Sequence, residues 1–285
     1  MRVNTRFREA FLEVKRSFPI VDYIDESVWH ELETILNTLR KFLPDFENKR
    51  LLDIGCGPMD KTAMFQTLGF QCYAVDDLND PWHKRYDNIS KIKKYAKDLS
   101  INFFHQQQGD YTIPFEGGSF DVVCSLAVIE HLHESPRRLL NAMGAYAKDD
   151  GLLVIVMPNS VNLRKRLSVL SGRTNYVPVD QFFYSVGSWR GHVREYSLQE
   201  TAYICREMGF EILSKTTFEH LAHTKLKFPL RELYITLGNI MPTLRSGVLV
   251  ACRKPKSWMH VEENLDMFNR ALARSVPKGI AVKPL

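Results

Sequence analysis

One segment limits the possible folds more than any other: Leu51-Leu52-Asp53-Ile54-Gly55-Cys56-Gly57-Pro58. An apolar run that stops on Gly-x-Gly reads as a buried strand followed by a sharp turn. Glycine takes positive φ at little cost and lets a ligand lie close to the backbone. The helix expected next, at 61–68, would aim its free N-terminal amides at the occupant of that turn. Asp53, at the strand end, can fix the turn or meet an amino group. Taken alone, the motif also describes an ordinary tight strand-to-helix turn.

The pattern around it extends the reading. Short apolar runs at 50–54, 70–75, 101–105, 120–125 and 151–157 alternate with helical stretches at 61–68, 88–99 and 136–147. A helix at 197–208 and strands at 210–216 and 247–252 complete the set. Strands spaced by helices imply an α/β fold with a largely parallel sheet covered on both faces. Two segments, 158–195 and 219–245, break the alternation and read as functional insertions. The first fifty residues are helical in pattern. Phe7, Ala10, Phe11, Val14 and Phe18 share one face, and Trp29, Leu32, Ile35, Leu36 and Leu39 share another. The expected organisation is an N-terminal helical cap at 1–44, a main domain at 45–253 with the two insertions, and a polar tail at 254–285.

The second apolar strand ends on an acid, Asp76, with Asp77 beside it as a weaker alternative. A carboxylate there can accept hydrogen bonds from both hydroxyls of a ribose. That arrangement serves a nicotinamide dinucleotide or S-adenosylmethionine. The dinucleotide fingerprint wants a third glycine where this chain has Asp60.

Four ordered motifs then resemble the class I S-adenosylmethionine-dependent methyltransferases, especially the group acting on quinones, sugars and other metabolites. They are LLDIGCGP (51–58), AVDD (74–77), GDYTIPFEGGSFDVV with SLAVIEHL (109–123 and 125–132), and DDGLLVIVMPN (149–159). The resemblance implies a Rossmann-like three-layer sandwich whose seven-stranded, mostly parallel sheet has an antiparallel last strand. It implies that Gly55 and Gly57 lie against the methionine portion of S-adenosyl-L-methionine and that Asp76 holds the ribose. Asp110 would accept from the adenine amino group, with Tyr111 beside the ring, and Leu126 would present backbone near the methionine end.

His131 and His192 stand where a base or acceptor contact is needed, each weighed against a purely structural role. His131-x-His133-Glu134 could suggest a metal, but a hydrophilic turn is the expected reading, and no metal is predicted. In the first insertion, Arg164, Lys165 and Arg166 flank the apolar face of Leu163, Leu167 and Leu170. They are candidates for contact with an anionic acceptor or a membrane surface; the alternative is a packing helix with a solvated face. The aromatics Tyr176, Phe182, Phe183, Tyr184 and Trp189 are read as pocket lining or as packing of a lid.

Composition bounds the remaining choices. Hydrophobic residues at 45% and charged residues at 25% exclude a disordered chain or a coiled coil. The formal charge of +5 favours acidic partners only where it clusters. Five scattered cysteines without a C-x-x-C pair suggest a reducing compartment and no structural zinc. The N-terminus carries Glu9 and Glu13 and lacks an uncharged apolar stretch, unlike a signal peptide. A cytoplasmic methyltransferase of a small-molecule or glycan acceptor is the expected function. A nucleic-acid methyltransferase, a nicotinamide-dependent oxidoreductase and a non-catalytic S-adenosylmethionine-binding protein are the alternatives.

Overall fold

The computed structural model describes residues 2–275, without the side chains of 2–4, 223, 224 and 275. Strands β1 (Arg50–Ile54), β2 (Gln71–Asp76), β3 (Asn102–His105), β4 (Phe120–Leu126), β5 (Ala147–Pro158), β6 (Glu211–Phe218) and β7 (Gly247–Arg253) form one sheet. Their order is β3-β2-β1-β4-β5-β7-β6. The first five strands pair in parallel, and β7 runs antiparallel to both β5 and β6. This is the Rossmann-like sheet expected from the sequence, with its last strand reversed.

Alternation along the strands sorts the core into two layers, because successive side chains leave opposite faces of a sheet. Leu51, Cys72, Val122, Val154 and Leu249 face one side. There they meet α1 (Arg2–Ser17), α2 (Glu26–Phe42), α3 (Asp60–Thr67) and α4 (Asn88–Asp98). Leu52, Ile54, Val123, Leu153 and Val250 face the other, under α5 (Arg137–Tyr146) and α8 (Leu198–Glu207). Phe11, Leu32, Ile35 and Leu36 of the N-terminal helices are fully buried in the first layer. Side chains of this size contribute roughly 1.5–3 kcal/mol each when removed from water, so α1 and α2 belong to the same core as the sheet.

Helix ends are specified locally. Asp25 caps α2 by accepting from the amides of Ser27 and Val28. Ser197 and Glu200 form a capping box at the start of α8. All five cysteines are buried and unpaired.

The insertions hold short helices: α6 (Leu163–Leu170) and α7 (Val179–Phe183) in the first, α9 (Ala222–Lys225) and α10 (Leu230–Ile240) in the second. Beyond β7, Trp258 packs in the second layer and its indole N–H donates to the Met208 carbonyl at 2.9 Å. Asn141 on α5 exchanges two hydrogen bonds, both 3.0 Å, with the backbone of Val261. The chain then forms α11 (Leu265–Ser275); the rest of the expected tail lies outside the described residues. Among those residues no helix is long and apolar enough to cross a membrane.

Candidate functional site

The turns after β1 and β2 meet at the carboxyl edge of the sheet. Gly55 and Gly57 take φ of 78° and 53°, the left-handed region that favours glycine. The Gly57 amide donates to Asp76 Oδ2 at 2.8 Å, and the Leu78 amide donates to Oδ1 at 2.6 Å. Asp76 therefore ties the two turns together. Burial raises its pKa, against the pull of those two amides.

A cavity of about 100 Å³ opens here, lined by Gly55, Asp76, Asp77, Asp110, Tyr111 and His131 among others. Val128 and Arg190 share its wall. A Cβ on Gly57 would meet nothing within 4 Å, whereas one on Gly55 would lie 2.4 Å from Val128 Cγ2. Arg190 reaches in from the first insertion, donating to Asp77 Oδ1 at 2.9 Å and to Asp80 Oδ1 at 3.3 Å. Asp77 is thus committed to a guanidinium. Asp110, also in the lining, accepts from the Thr112 amide at 2.9 Å, which holds its carboxyl below the usual range. Tyr111 beside it is raised by burial.

Three of the expected cofactor residues, Gly57, Asp53 and Leu126, do not line this cavity. Asp53 is buried beneath the turn and accepts from the Thr62 hydroxyl of α3 at 2.6 Å, while its Oδ1 has no partner. Burial pushes its pKa to about 6. Of the two roles open to Asp53, the geometry fits the fixing of the turn. Leu126 is buried in register with Val156, and it is Val128, two residues on, that reaches the cavity.

The two histidines come together from distant segments, with ring centroids 4.8 Å apart. His131 sits on a short 3-10 turn after β4, its Nδ1 2.8 Å from the Arg190 carbonyl oxygen. His192 Nδ1 lies 2.8 Å from Glu195 Oε1, and Lys165 pairs with the other oxygen of Glu195. Burial lowers His192 to a pKa of about 4, so its imidazole is neutral at pH 7. Glu130 completes the group. Its side chain is 0% exposed, both carboxyl oxygens lack a hydrogen-bond partner, and Oε1 lies 4.0 Å from His192 Nε2. Burial raises its pKa to about 8. On the far side of His192, a cavity of about 400 Å³ is lined by Ser160, Lys165, Asn175, Tyr176, His192 and Glu195.

The insertions depart from the expected picture of a solvated basic face. On α6 the polarity is inverted: Lys165 is 5% exposed and ion-paired, while Leu167 and Leu170 are 54% and 82% exposed. Lys165 thus faces Glu195 and the polar cavity rather than the outer surface of the helix. Arg166 is tied to the Val161 carbonyl, and Arg164 lines a separate cavity with Leu167, Leu221 and Tyr234. Phe182, Phe183 and Tyr184 are exposed, and only Tyr176 of the aromatic cluster borders the second cavity. His133 bonds to the Trp189 carbonyl at 2.8 Å and takes no part in the histidine group.

Glu130, Val128, Arg190 and Glu195 were not singled out by the sequence. All four flank a chosen histidine within three positions, which was the available signal.

Residues 28–215, well over half of the chain, match the family described as methyltransferase domain. The chain belongs to that family and, with it, to the class I S-adenosylmethionine-dependent methyltransferases. The ubiquinone biosynthesis O-methyltransferase of Rickettsia felis is 27% identical over 139 residues, covering 49% of this chain and 52% of that protein. The chain thus spans about half the length of that relative. Two solved structures share the fold. The PH0226 protein of Pyrococcus horikoshii has a TM-score of 0.51 at 18% identity, over 86% of this chain and 99% of that one. An S-adenosylmethionine-dependent methyltransferase from Mesorhizobium loti has a TM-score of 0.50 at 16% identity, over 76% and 96%. Membership in this family sets aside the nicotinamide reading of Asp76.

The residues fit the family's cofactor, S-adenosylmethionine. Gly57 faces open space, Asp76 offers an oriented carboxyl, and Asp110 and Tyr111 stand at the far end.

Proposed function

We propose that this protein transfers the methyl group of S-adenosylmethionine to an oxygen of a small-molecule or glycan-type acceptor. The carrying observation is the Glu130–His131–His192 junction. His131 borders the cofactor cavity, and His192 borders the polar cavity of about 400 Å³. That lining suits a hydroxylated acceptor. The name of the Rickettsia felis relative, an O-methyltransferase, supports oxygen as the acceptor atom.

S-adenosylmethionine, when bound, supplies an electrophilic methyl group on a sulfonium. The backbone at Gly55 and Gly57 accommodates the methionine portion, and Leu126 anchors the strand end that carries Val128 there. Asp76 accepts from the ribose hydroxyls, Asp110 from the adenine amino group, and Tyr111 lies along the ring. Asp53 holds the first turn through Thr62, and Asp77 positions Arg190. Alignment of the reacting groups contributes perhaps ~7–11 kcal/mol to such a displacement. The acceptor hydroxyl must also lose its proton, and His131 and His192 contact it where that happens, an effect worth about 10²–10⁴-fold. In this reading the N-terminal cap and the insertions at 158–195 and 219–245 frame the acceptor, the domain at 45–253 holds the cofactor, and the described part of the tail, 254–275, braces the back. Of the basic residues Arg164, Lys165 and Arg166, Lys165 borders the acceptor cavity and is the one placed to meet an anionic group there.

The test combines calorimetric titration with S-adenosylhomocysteine and a methyl-transfer screen of phenols and sugars. Binding weakened by Asp76→Ala, with transfer to a hydroxyl, supports the reading. Folded protein that ignores S-adenosylhomocysteine would remove its basis, and transfer to nitrogen alone would overturn the choice of oxygen.

A further inference from the structure

A fully buried carboxyl with two unpartnered oxygens is costly. Leaving a charged or polar group unsatisfied in the interior costs on the order of 1–3 kcal/mol or more, and native structures keep few such groups. Glu130 is one, and its carboxyl stands beside two imidazoles. The donor atoms of Glu130, His131 and His192 all lie within 4.8 Å of one another.

The partners of each ring settle which nitrogen is free. His131 Nδ1 faces a carbonyl oxygen, which can only accept, so a neutral ring carries its hydrogen there and leaves Nε2 bare. His192 Nδ1 faces the Glu195 carboxylate, with the same result. A backbone carbonyl and a carboxylate are the outer partners that orient histidines bound to metals. Lys165 in turn fixes Glu195. The partners of the two rings thus leave both Nε2 lone pairs free, with ligand atoms of the two imidazoles and one carboxylate within 4.8 Å of one another.

We infer that Glu130, His131 and His192 form a binding site for a divalent first-row transition ion of the zinc class, at the junction of the two cavities. Two imidazoles and a carboxylate suit such an ion by ligand type. Metal–nitrogen bonds near 2.0–2.1 Å would bring tetrahedral donors to about 3.4 Å apart, so the site contracts by roughly an ångström on binding. Three protein ligands leave a coordination position open, as in sites where an ion meets substrate. That the position takes the acceptor oxygen rests on the proposed function; the ion site itself rests on the three side chains.

Cobalt(II) is the probe, because its visible absorption reports coordination without reference to activity. The full chain is stripped with a chelator, saturated with S-adenosylhomocysteine and titrated with CoCl₂. One equivalent should produce absorption bands distinct from those of the free ion. Glu130→Gln, which keeps the side chain's size, and His192→Gln should each abolish them. Glu195→Gln should weaken cobalt binding about 10–100-fold, and His133→Gln should change nothing. Circular dichroism and S-adenosylhomocysteine titration verify that each variant is folded. Spectra no different from free cobalt, with the homocysteine still bound, would overturn the ion site and leave the proposed function intact. Bands that survive both Glu130→Gln and His192→Gln would overturn it as well. Cobalt held by the triad in a protein that methylates no hydroxyl would instead defeat the proposed function alone.

Discussion

The two halves of this site are built differently. The cofactor half consists of backbone turns at strand ends: Gly57 and Leu78 donate amides to Asp76, and the glycines hold left-handed φ. The proposed acceptor half consists of side chains from an insertion and from the turn after β4. His192 and Glu195 arrive from the insertion, Glu130 and His131 from the turn, and the groups meet only through tertiary structure. Around them Leu170, Phe183 and Tyr184 stand mostly exposed. The first half is positioned by the sheet itself. The second depends on a few polar contacts that tie the 158–195 segment down, such as Arg190 to Asp77 and Lys165 to Glu195. A backbone-built half tolerates change in its neighbours, whereas a half built from side chains should fail one contact at a time.

The division predicts that activity and cofactor binding can be separated. His192→Gln is expected to lower turnover by about 10²–10⁴-fold, or roughly 3–5 kcal/mol in the barrier, with S-adenosylhomocysteine affinity within twofold of wild type. A parallel loss of homocysteine affinity would show that the halves are one unit. Asp76→Ala comes next. It removes a carboxyl that would accept from two hydroxyls, each such bond to a charged group being worth about 1.5–3 kcal/mol. S-adenosylhomocysteine should therefore bind about 100-fold more weakly by calorimetry, in a protein that still melts cooperatively. Unchanged affinity would move the ribose away from β2.

How legible each half was in the sequence follows the same line. The strands, their order of appearance and the turns at Gly55, Gly57 and Asp76 could be read because local pattern fixes them: apolar runs, glycine, an acid at a strand end. The burial of Asp53 and its bond to Thr62 could not be read, since both directions are open to a side chain at a strand end. On α6, spacing alone placed Leu163, Leu167 and Leu170 on one face, open to packing or to contact with an acceptor or membrane surface. The helix instead buries Lys165, because Glu195, thirty residues on, supplies its partner. Periodicity reports what a helix could bury in isolation, and an ion pair from another segment can invert the outcome. Glu130 was hidden for a related reason: a carboxyl beside a histidine is ordinary until a second histidine arrives from residue 192.

The third prediction probes the cofactor half from below. Asp53 has a pKa of about 6 in the folded protein, raised by burial, against 3.8 for an ordinary aspartate. Between those values the folded state keeps a proton that the unfolded chain has lost. The folded state binds more protons there, so this group's contribution to stability falls as pH rises through the window and is constant above it. Asp53→Asn removes that dependence. Relative to wild type, the variant should gain stability between pH 4 and pH 7, by roughly 2 kcal/mol, measured by denaturant unfolding at both values. A difference independent of pH would mean that Asp53 is charged in the folded protein and that Thr62 compensates it fully.

The smallest effect is expected at the surface of the acceptor half. Leu170 is 82% exposed at the end of α6, whereas Leu36 on α2 is 0% exposed. Truncating a buried leucine costs about 2–5 kcal/mol through lost transfer energy and the cavity left behind. Leu170 has little transfer energy to lose, and Leu170→Asn should alter stability by no more than about 0.5 kcal/mol. Unfolding curves in urea, with the slope compared as well as the midpoint, would measure this. A loss above about 1 kcal/mol would mean that Leu170 is covered in solution and that the insertion packs more tightly than its exposure indicates. The contrast between the halves would then narrow to one of chemistry, with both equally fixed by apolar burial.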